Sequence, residues 1–481
     1  MKVFSRARFA LIVLLGSAVL FGCQVAPSNN ESGSAPASAS PQQAAQQPTP
    51  LPAPSPATSG AGNLPVTLPV LDAFFADESF AGDVKTRLQL NDEQVARLRE
   101  VARTETAALR ESGQADEQRR TTSAATTQAT EKIKGVIGAE KTEQLLALVR
   151  ERWASGGGNA AQANGAALPD RPNTVPTDTR VVVNAPAYRM DVFKDGQLVK
   201  TYKIGIGYPE FPLPTGMRSA RTIIFNPTWT PPDEPWVEAG SSKVQVGQKV
   251  EAGSPLNPLG PIKIPIGQPS LIHGGKSPAK LGGFASHGCV GLTSPQVQDF
   301  ARVLADLSGS QLTPQDITAY AQKKTETKNV QLSQPVPVEL RYETIVVEDG
   351  KLHIYRDVYD HGTNTPENLR RVLDVYGVSF DQLSEQERQQ ITDALAQMAR
   401  DATGKPAEGD GMTNTNANTA GNKNKKDEKE SARVTRTIKG QKEIVLELAA
   451  LKGKGYPAPA NLDTGGGTPQ KGKPAQAAKR A

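Results

Sequence analysis

Cysteine is nearly absent from this 481-residue chain, which has only Cys23 and Cys289. Two cysteines build neither a disulfide framework nor a four-cysteine metal site, so each must be read from its own surroundings. Histidine is almost as scarce, with four in all, and aromatic residues make up 5% of the chain. Charge is close to balanced, 55 Lys+Arg against 50 Asp+Glu for a net +5, which excludes the basic footprint of a nucleic-acid binder. The apolar run from Phe9 to Gly22 is shorter than the ~20 residues that a membrane-spanning helix needs. Glycine (43) and proline (37) are abundant, and the length exceeds one ordinary core. Two or three folded units with unpacked segments between them are therefore expected.

Lys2, Arg6 and Arg8 precede that short apolar run, so residues 1–22 read as an export signal. It ends Leu20-Phe21-Gly22-Cys23, which resembles the lipobox of bacterial lipoproteins. The resemblance implies lipidation of Cys23 and a membrane anchor in the cell envelope, facing the periplasm. With Gln24 next, the outer membrane is implied where the host has two membranes. Residues 23–68 then form a tether: Pro27 to Asn63 is Ser, Ala, Pro, Gln and Gly with no aromatic residue, too little apolar surface to offset ordering entropy.

A helical module is predicted over residues 69–155. Asn91 and Gln94 fit a capping box, Leu90 and Val95 a hydrophobic staple, and Val95, Leu98, Ala102 and Leu109 recur at helical spacing. A second pattern from about Glu117 carries Ile133, Ile137, Leu145, Leu148, Val149 and Trp153, with Gly135 and Gly138 as interruptions. Residues 156–177 are a linker. Over residues 178–360 the period changes to two, with hairpins turning at Asp195-Gly196 and Asp349-Gly350, where positive φ is needed. One helix interrupts the strands, with Ser294 as its N-cap and Val297, Phe300, Leu304 and Leu307 as its apolar stripe. Of 24 aromatic residues, 16 lie between 180 and 380, which places the main core there. A C-terminal helical extension is predicted over 361–402, and residues 403–481 read as a mostly disordered Lys/Asn/Gly-rich tail with one stretch able to dock, Ile444-Val445-Leu446. The fold class is thus mainly β, with a separate small α-helical N-terminal module and disordered tails.

An exported protein that keeps one unpaired thiol needs a reason for it, and Cys289 is the candidate nucleophile. Half of the histidines sit close by, in Ile272-His273-Gly274-Gly275 and Ser286-His287-Gly288-Cys289. A thiol with a pKa of about 8.5 needs an imidazole to take its proton, and His273 has the better claim because His287 is only two residues from the sulfur. Glycines at 274, 275, 282, 283, 288 and 291 let backbone approach a substrate. The amides of Gly288 and Cys289 are candidates for an oxyanion hole. A zinc site built from His273, His287 and Cys289 lacks a fourth donor and is cramped, so no metal is expected. A buried, inert Cys289 stays open at this point.

These segments resemble the L,D-transpeptidases of bacterial cell walls. The likeness extends from Pro214-Thr215-Gly216 and Asn226-Pro227-Thr228-Trp229-Thr230-Pro231-Pro232 through Asn257-Pro258-Leu259-Gly260 and Ile272-His273-Gly274 to Ser286-His287-Gly288-Cys289-Val290. It implies a β-rich catalytic domain in which Cys289 attacks a peptidoglycan stem tetrapeptide and forms a thioester that an acceptor amine resolves, with no organic cofactor. It implies His273 as base and acid, with His287, Gly288 and Gly274 supporting oxyanion and substrate and Ser286 ordering the loop. The implied role is cell-wall biogenesis and cell shape, with peptidoglycan as partner and the helical module available to a protein partner. Gly291 departs from the pattern, since many members have a carboxylate-binding arginine there, and Gly275 replaces a threonine. His361-Gly362-Thr363 spells the first motif more literally but follows the cysteine, so His361 and His353 are taken as surface or strand residues. The alternatives are a carboxypeptidase or hydrolase with the same nucleophile, and an inactive wall-binding lipoprotein.

Overall fold

A computed structural model describes residues 64–111, 121–154, 169–229, 249–404 and 438–466. The chain divides into Met1–Pro56, which lies outside the described residues, and Ala57–Ala481, to which everything below belongs. The expected signal, Cys23, Thr230-Pro231-Pro232, and most of the tether and linker also lie outside the described residues.

The N-terminal region is helical: α1 (Leu68–Phe75), α2 (Glu78–Arg87), α3 (Asp92–Glu111), α4 (Thr122–Ile137) and α5 (Ala139–Ala154). The capping box of α3 forms as expected, with Asn91 Oδ1 accepting from the Gln94 amide at 2.8 Å and Gln94 Oε1 from the Asn91 amide at 3.1 Å. Gly138 at φ 80° ends α4, whereas Gly135 stays inside it. An exposed helical glycine costs only about 1 kcal/mol, less than α4 gains by burying Ala125, Ala129, Ile133 and Ile137. Ala129, Ile133 and Ile137 pack with Phe74, Phe80, Leu98, Leu145 and Trp153 in one core.

The next region is β-rich. Its strands are β1 (Arg180–Asn184), β2 (Arg189–Lys194), β3 (Gln197–Lys203), β4 (Ile206–Gly207), β5 (Gly216–Phe225), β6 (Ile262–Pro265), β7 (Leu271–His273), β8 (Phe284–Ser286), β9 (Val290–Gly291) and β10 (Lys328–Arg341). Eight of them make one sheet in the order β3-β2-β1-β10-β5-β6-β7-β9, while β4 pairs with β8. Asp195 and Gly196 turn between β2 and β3 at φ 50° and 76°, the left-handed pair that a tight hairpin requires. Between β9 and β10 lie α6 (Ser294–Leu307) and α7 (Pro314–Gln322). The N-cap of α6 is Thr293 rather than the expected Ser294, because Thr293 and Gln296 close a reciprocal capping box, Gln296 Oε1 accepting from the Thr293 amide at 2.9 Å. Val297, Phe300, Ala301 and Leu304 of α6 then seal the face of the sheet.

The hairpin β11 (Ile345–Glu348) and β12 (Lys351–Tyr355) turns at Asp349-Gly350 as expected but does not join the eight-stranded sheet. It pairs with β13 (Glu443–Glu447) and shares a core with α8 (Pro366–Val375) and α9 (Glu385–Met398). Ile345, Val347, Leu352 and Ile354 bury against Leu369, Val372, Leu373, Ile391 and Leu395, a separate apolar surface.

Residues 438–466, expected within a disordered tail, are ordered. β13 completes the edge of β12 with the Ile444-Val445-Leu446 stretch, and Tyr456 inserts between the two sheets. There it stands edge-on to Phe193 at 5.7 Å, with Arg189 5.4 Å and Arg341 5.9 Å from its ring centre. A polar segment orders here because a neighbouring surface supplies the core that its own composition lacks. Tyr456→Ala is expected to destabilise the fold by about 3 kcal/mol, the usual cost of emptying a buried aromatic site, read from the urea midpoint.

Candidate functional site

β7 and β9 are neighbours at one edge of the sheet and run parallel, with Ile272 opposite Val290 and His273 opposite Gly291. His273 and Gly291 are partners and share a face, and Cys289, one residue before β9, falls on the same side when the strand alternation is continued back to it. Strand spacing and rise put the Cα atoms of His273 and Cys289 about 8 Å apart, a diagonal that an imidazole and a thiol can close.

The imidazole is fixed by three loops. His273 is buried, and its Nδ1 lies 2.8 Å from the Gly274 carbonyl. A carbonyl only accepts, so Nδ1 carries the hydrogen and Nε2 keeps its lone pair. The Leu259 backbone also bonds the ring. Asn257 holds Leu259 in place: its Oδ1 accepts from the Leu259 amide at 3.0 Å while its Nδ2 donates to Pro227 O at 2.7 Å. Asn226 anchors the same strand end to α7, its Nδ2 donating to Tyr320 O at 2.7 Å and Lys323 O at 3.0 Å. Gly274 has no room for a side chain, since a Cβ would lie 2.6 Å from Val297 Cγ1 of α6. Burial, and then the charge of Lys276, push His273 down to about 3, against the opposing pull of the Gly274 and Leu259 backbone.

Cys289 is half-buried. Burial raises its thiol above the ordinary value, opposed by a hydrogen bond with the Leu271 backbone and by the Lys276 charge. Ser286 ties the turn by accepting from the Cys289 amide at 3.0 Å and donating to the Cys289 carbonyl at 2.5 Å. That bond corrects one expectation, because the Cys289 amide faces Ser286 rather than an oxyanion. The Gly288 amide, at φ 90°, makes no hydrogen bond among the described residues. His287 is exposed and stands edge-on to Phe211 at 4.7 Å and to Tyr208 at 5.2 Å.

Sequence reasoning missed the loop that supplies those two rings. Tyr208 donates from its amide to Ser286 O at 2.9 Å, and Tyr359 Oη donates to Gly207 O at 2.9 Å. The helical region grips the same loop, with Thr67 Oγ1 donating to Glu210 O at 2.6 Å and Thr122 Oγ1 to Pro209 O at 2.8 Å. No pattern in the sequence signals these bonds, because the partners lie 143 and 87 residues apart. Thr122→Val, which keeps the shape and removes the donor, is expected to lose about 1 kcal/mol in urea denaturation.

His353 and His361 lie elsewhere. His353 sits on β12 with its Nδ1 2.6 Å from Glu443 Oε1. His361, expected as a surface or strand residue, lies outside the strands and packs against Tyr342 at 4.0 Å between ring centres, with its Nε2 buried. Among the described residues, no three His, Cys, Asp or Glu side chains form a group able to hold a metal ion.

The region is therefore a β-rich domain with a thiol and an imidazole on neighbouring strands at one sheet edge. Residues 178–335 match the family model of YkuD, the L,D-transpeptidase catalytic domain. Similar solved structures include the catalytic domain of an L,D-transpeptidase from E. faecium, at 17% identity, covering 35% of this chain and 100% of that one, with a TM-score of 0.22. Others are an L,D-transpeptidase from Mycobacterium smegmatis (15% identity, 34% of this chain, 58% of that one, TM-score 0.21) and L,D-transpeptidase 3 from Mycobacterium tuberculosis (14%, 34%, 60%, 0.20). The chain thus spans about three fifths of the two mycobacterial proteins. No curated protein matches the chain.

Proposed function

We propose that this protein is a lipid-anchored L,D-transpeptidase of the cell envelope that acts on peptidoglycan stem tetrapeptides through Cys289. The observation that carries the reading is the parallel pairing of β7, which ends in His273, with β9, which begins one residue after Cys289, inside the matching domain. His273 has Nδ1 committed to Gly274, so Nε2 is the atom that can exchange protons with the thiol.

In this reading His273 Nε2 takes the thiol proton as Sγ attacks the carbonyl between the third and fourth stem residues. The C–N bond breaks, the terminal D-alanine leaves with the proton from Nε2, and a thioester remains. An acceptor amine then attacks the thioester and gives its surplus proton to Nε2. The C–S bond breaks, and the proton returns to the sulfur. The Gly288 amide, without a partner among the described residues, is the donor suited to the developing oxyanion. Residues 64–68, grouped with the tether from the sequence, pack into the helical core, so a tether of the about 40 residues from Cys23 to Asn63 would give a domain anchored at Cys23 a reach of roughly 35 Å.

Intact mass after incubation with a defined tetrapeptide tests the reading. An acyl adduct on Cys289 that an added amine converts to a crosslinked product is expected. Clearance by water alone would make the protein a carboxypeptidase, and no adduct would make it a binding protein.

A further inference from the structure

Gly291 is the bare position in this site, and its neighbour explains why. A Cβ added there would lie 2.9 Å from Cγ, 3.2 Å from Cε and 3.5 Å from Cδ of Lys276. The lysine stem therefore runs across Gly291, on the face that Gly291 shares with His273 and Cys289. Its backbone is held in register, with the Lys276 amide donating to Leu292 O at 3.0 Å and the Leu292 amide to His273 O at 2.8 Å. Among the described residues no ion pair or hydrogen bond engages the Lys276 ammonium.

We propose that Lys276 is the built-in cation of this site: lying across Gly291, its ammonium is the counter-charge of the Cys289 thiolate. A thiolate near an imidazole is usually held by the imidazolium, but His273 is pushed down to about 3 and stays neutral at working pH. Among the described residues, the other charged or titratable groups near the thiol are Lys276, then Lys280 on the turn after it and His287 on the turn before Cys289. The charge of Lys276 opposes the upward push on Cys289; Lys276 itself is pushed down, by burial first, against the raising charge of Cys289. Among the described residues, no carboxylate is among the charges that act on either group. Gly291 is then required by the path of the lysine, since any side chain at 291 would displace the stem. Lys276 acts here as a positioning residue, stabilising the form of the sulfur that reacts.

The inference rests on Cys289 being the nucleophile, and its test needs no substrate. The rate of Cys289 alkylation by iodoacetamide is measured against pH in the full chain, with the modified site located by peptide mass. Lys276→Met is expected to move the midpoint of the profile upward by about one unit and to slow alkylation at pH 8 several-fold. Lys276→Arg should restore most of the loss. Gly291→Ala, at a backbone conformation open to any residue, should shift the profile as Lys276→Met does. The double variant should shift it no further. A Lys276→Met profile that overlays the wild type overturns the proposal, as do additive shifts of the two single variants. Should Lys276→Met fail to fold, Gly291→Ala and Lys276→Arg decide the same question. A protein whose thiol depends on Lys276 but which forms no acyl adduct would refute the enzymatic reading and leave the role of the lysine intact.

Discussion

Cys289→Ala is expected to eliminate acyl transfer from tetrapeptide donors, a loss of at least about 10⁴-fold in kcat/KM. The acyl adduct seen by intact mass should vanish with it. No other sulfur can substitute, since the chain's second cysteine is Cys23, which the lipobox resemblance assigns to the membrane anchor. The fold should survive, because Ser286 bonds the backbone of residue 289 and not its side chain. The urea midpoint of Cys289→Ala should therefore stay within about 1 kcal/mol of the wild type. Terminal D-amino acid exchange at an unchanged rate in Cys289→Ala would refute the mechanism.

His273→Ala is expected to lower kcat/KM by about 10² to 10⁴, the usual share of a positioned acid–base group. Its second effect is on pH-dependent stability. His273 is neutral in the fold down to about 3, whereas in the unfolded chain it protonates near 6.5. Between those values the unfolded state binds more protons, so the fold has its full stability above about pH 6.5 and loses it as pH falls toward 3, by an amount of order a few kcal/mol. His361, which burial also pushes down, contributes in the same sense. Urea midpoints measured from pH 7 to pH 4 should therefore decline less steeply in His273→Ala than in the wild type, although the variant starts lower because of the cavity. Equal slopes would mean that His273 is not the buried neutral group described here. Activity should show no acidic limb from His273 in this range and should rise with pH as the thiol ionises, since Cys289 lies above its ordinary value.

Much of this site is legible in the sequence because its parts are consecutive. Ile272-His273-Gly274 and Ser286-His287-Gly288-Cys289 each occupy a strand end and its turn, and their residue types declare their chemistry. Lys276 gives no such sign. A lysine in a glycine-rich loop reads as solvated, and the absence of a side chain at 291 reads as a loss, until the pairing of β7 with β9 brings the two together. The Cys289 amide was misread for a similar reason, since its direction depends on the closure of the turn by Ser286. The tail was misread because composition describes what a segment can bury by itself. It does not reveal that β12 and the gap beside Phe193 stand ready to receive β13 and Tyr456.

Local interactions are written in local order: capping boxes, Asp-Gly turns, the switch of period from helix to strand and the chemical identity of the thiol and imidazole all follow from neighbouring residues. Whatever depends on two distant segments meeting was decided by tertiary structure. That includes the diagonal between Cys289 and His273, the passage of Lys276 over Gly291, the grip of Thr67 and Thr122 on the loop under His287, and the docking of Tyr456. The physical reason is that burial and charge act through space, so the pKa of the sulfur and the base depends on which chains are packed around them rather than on which residues adjoin them.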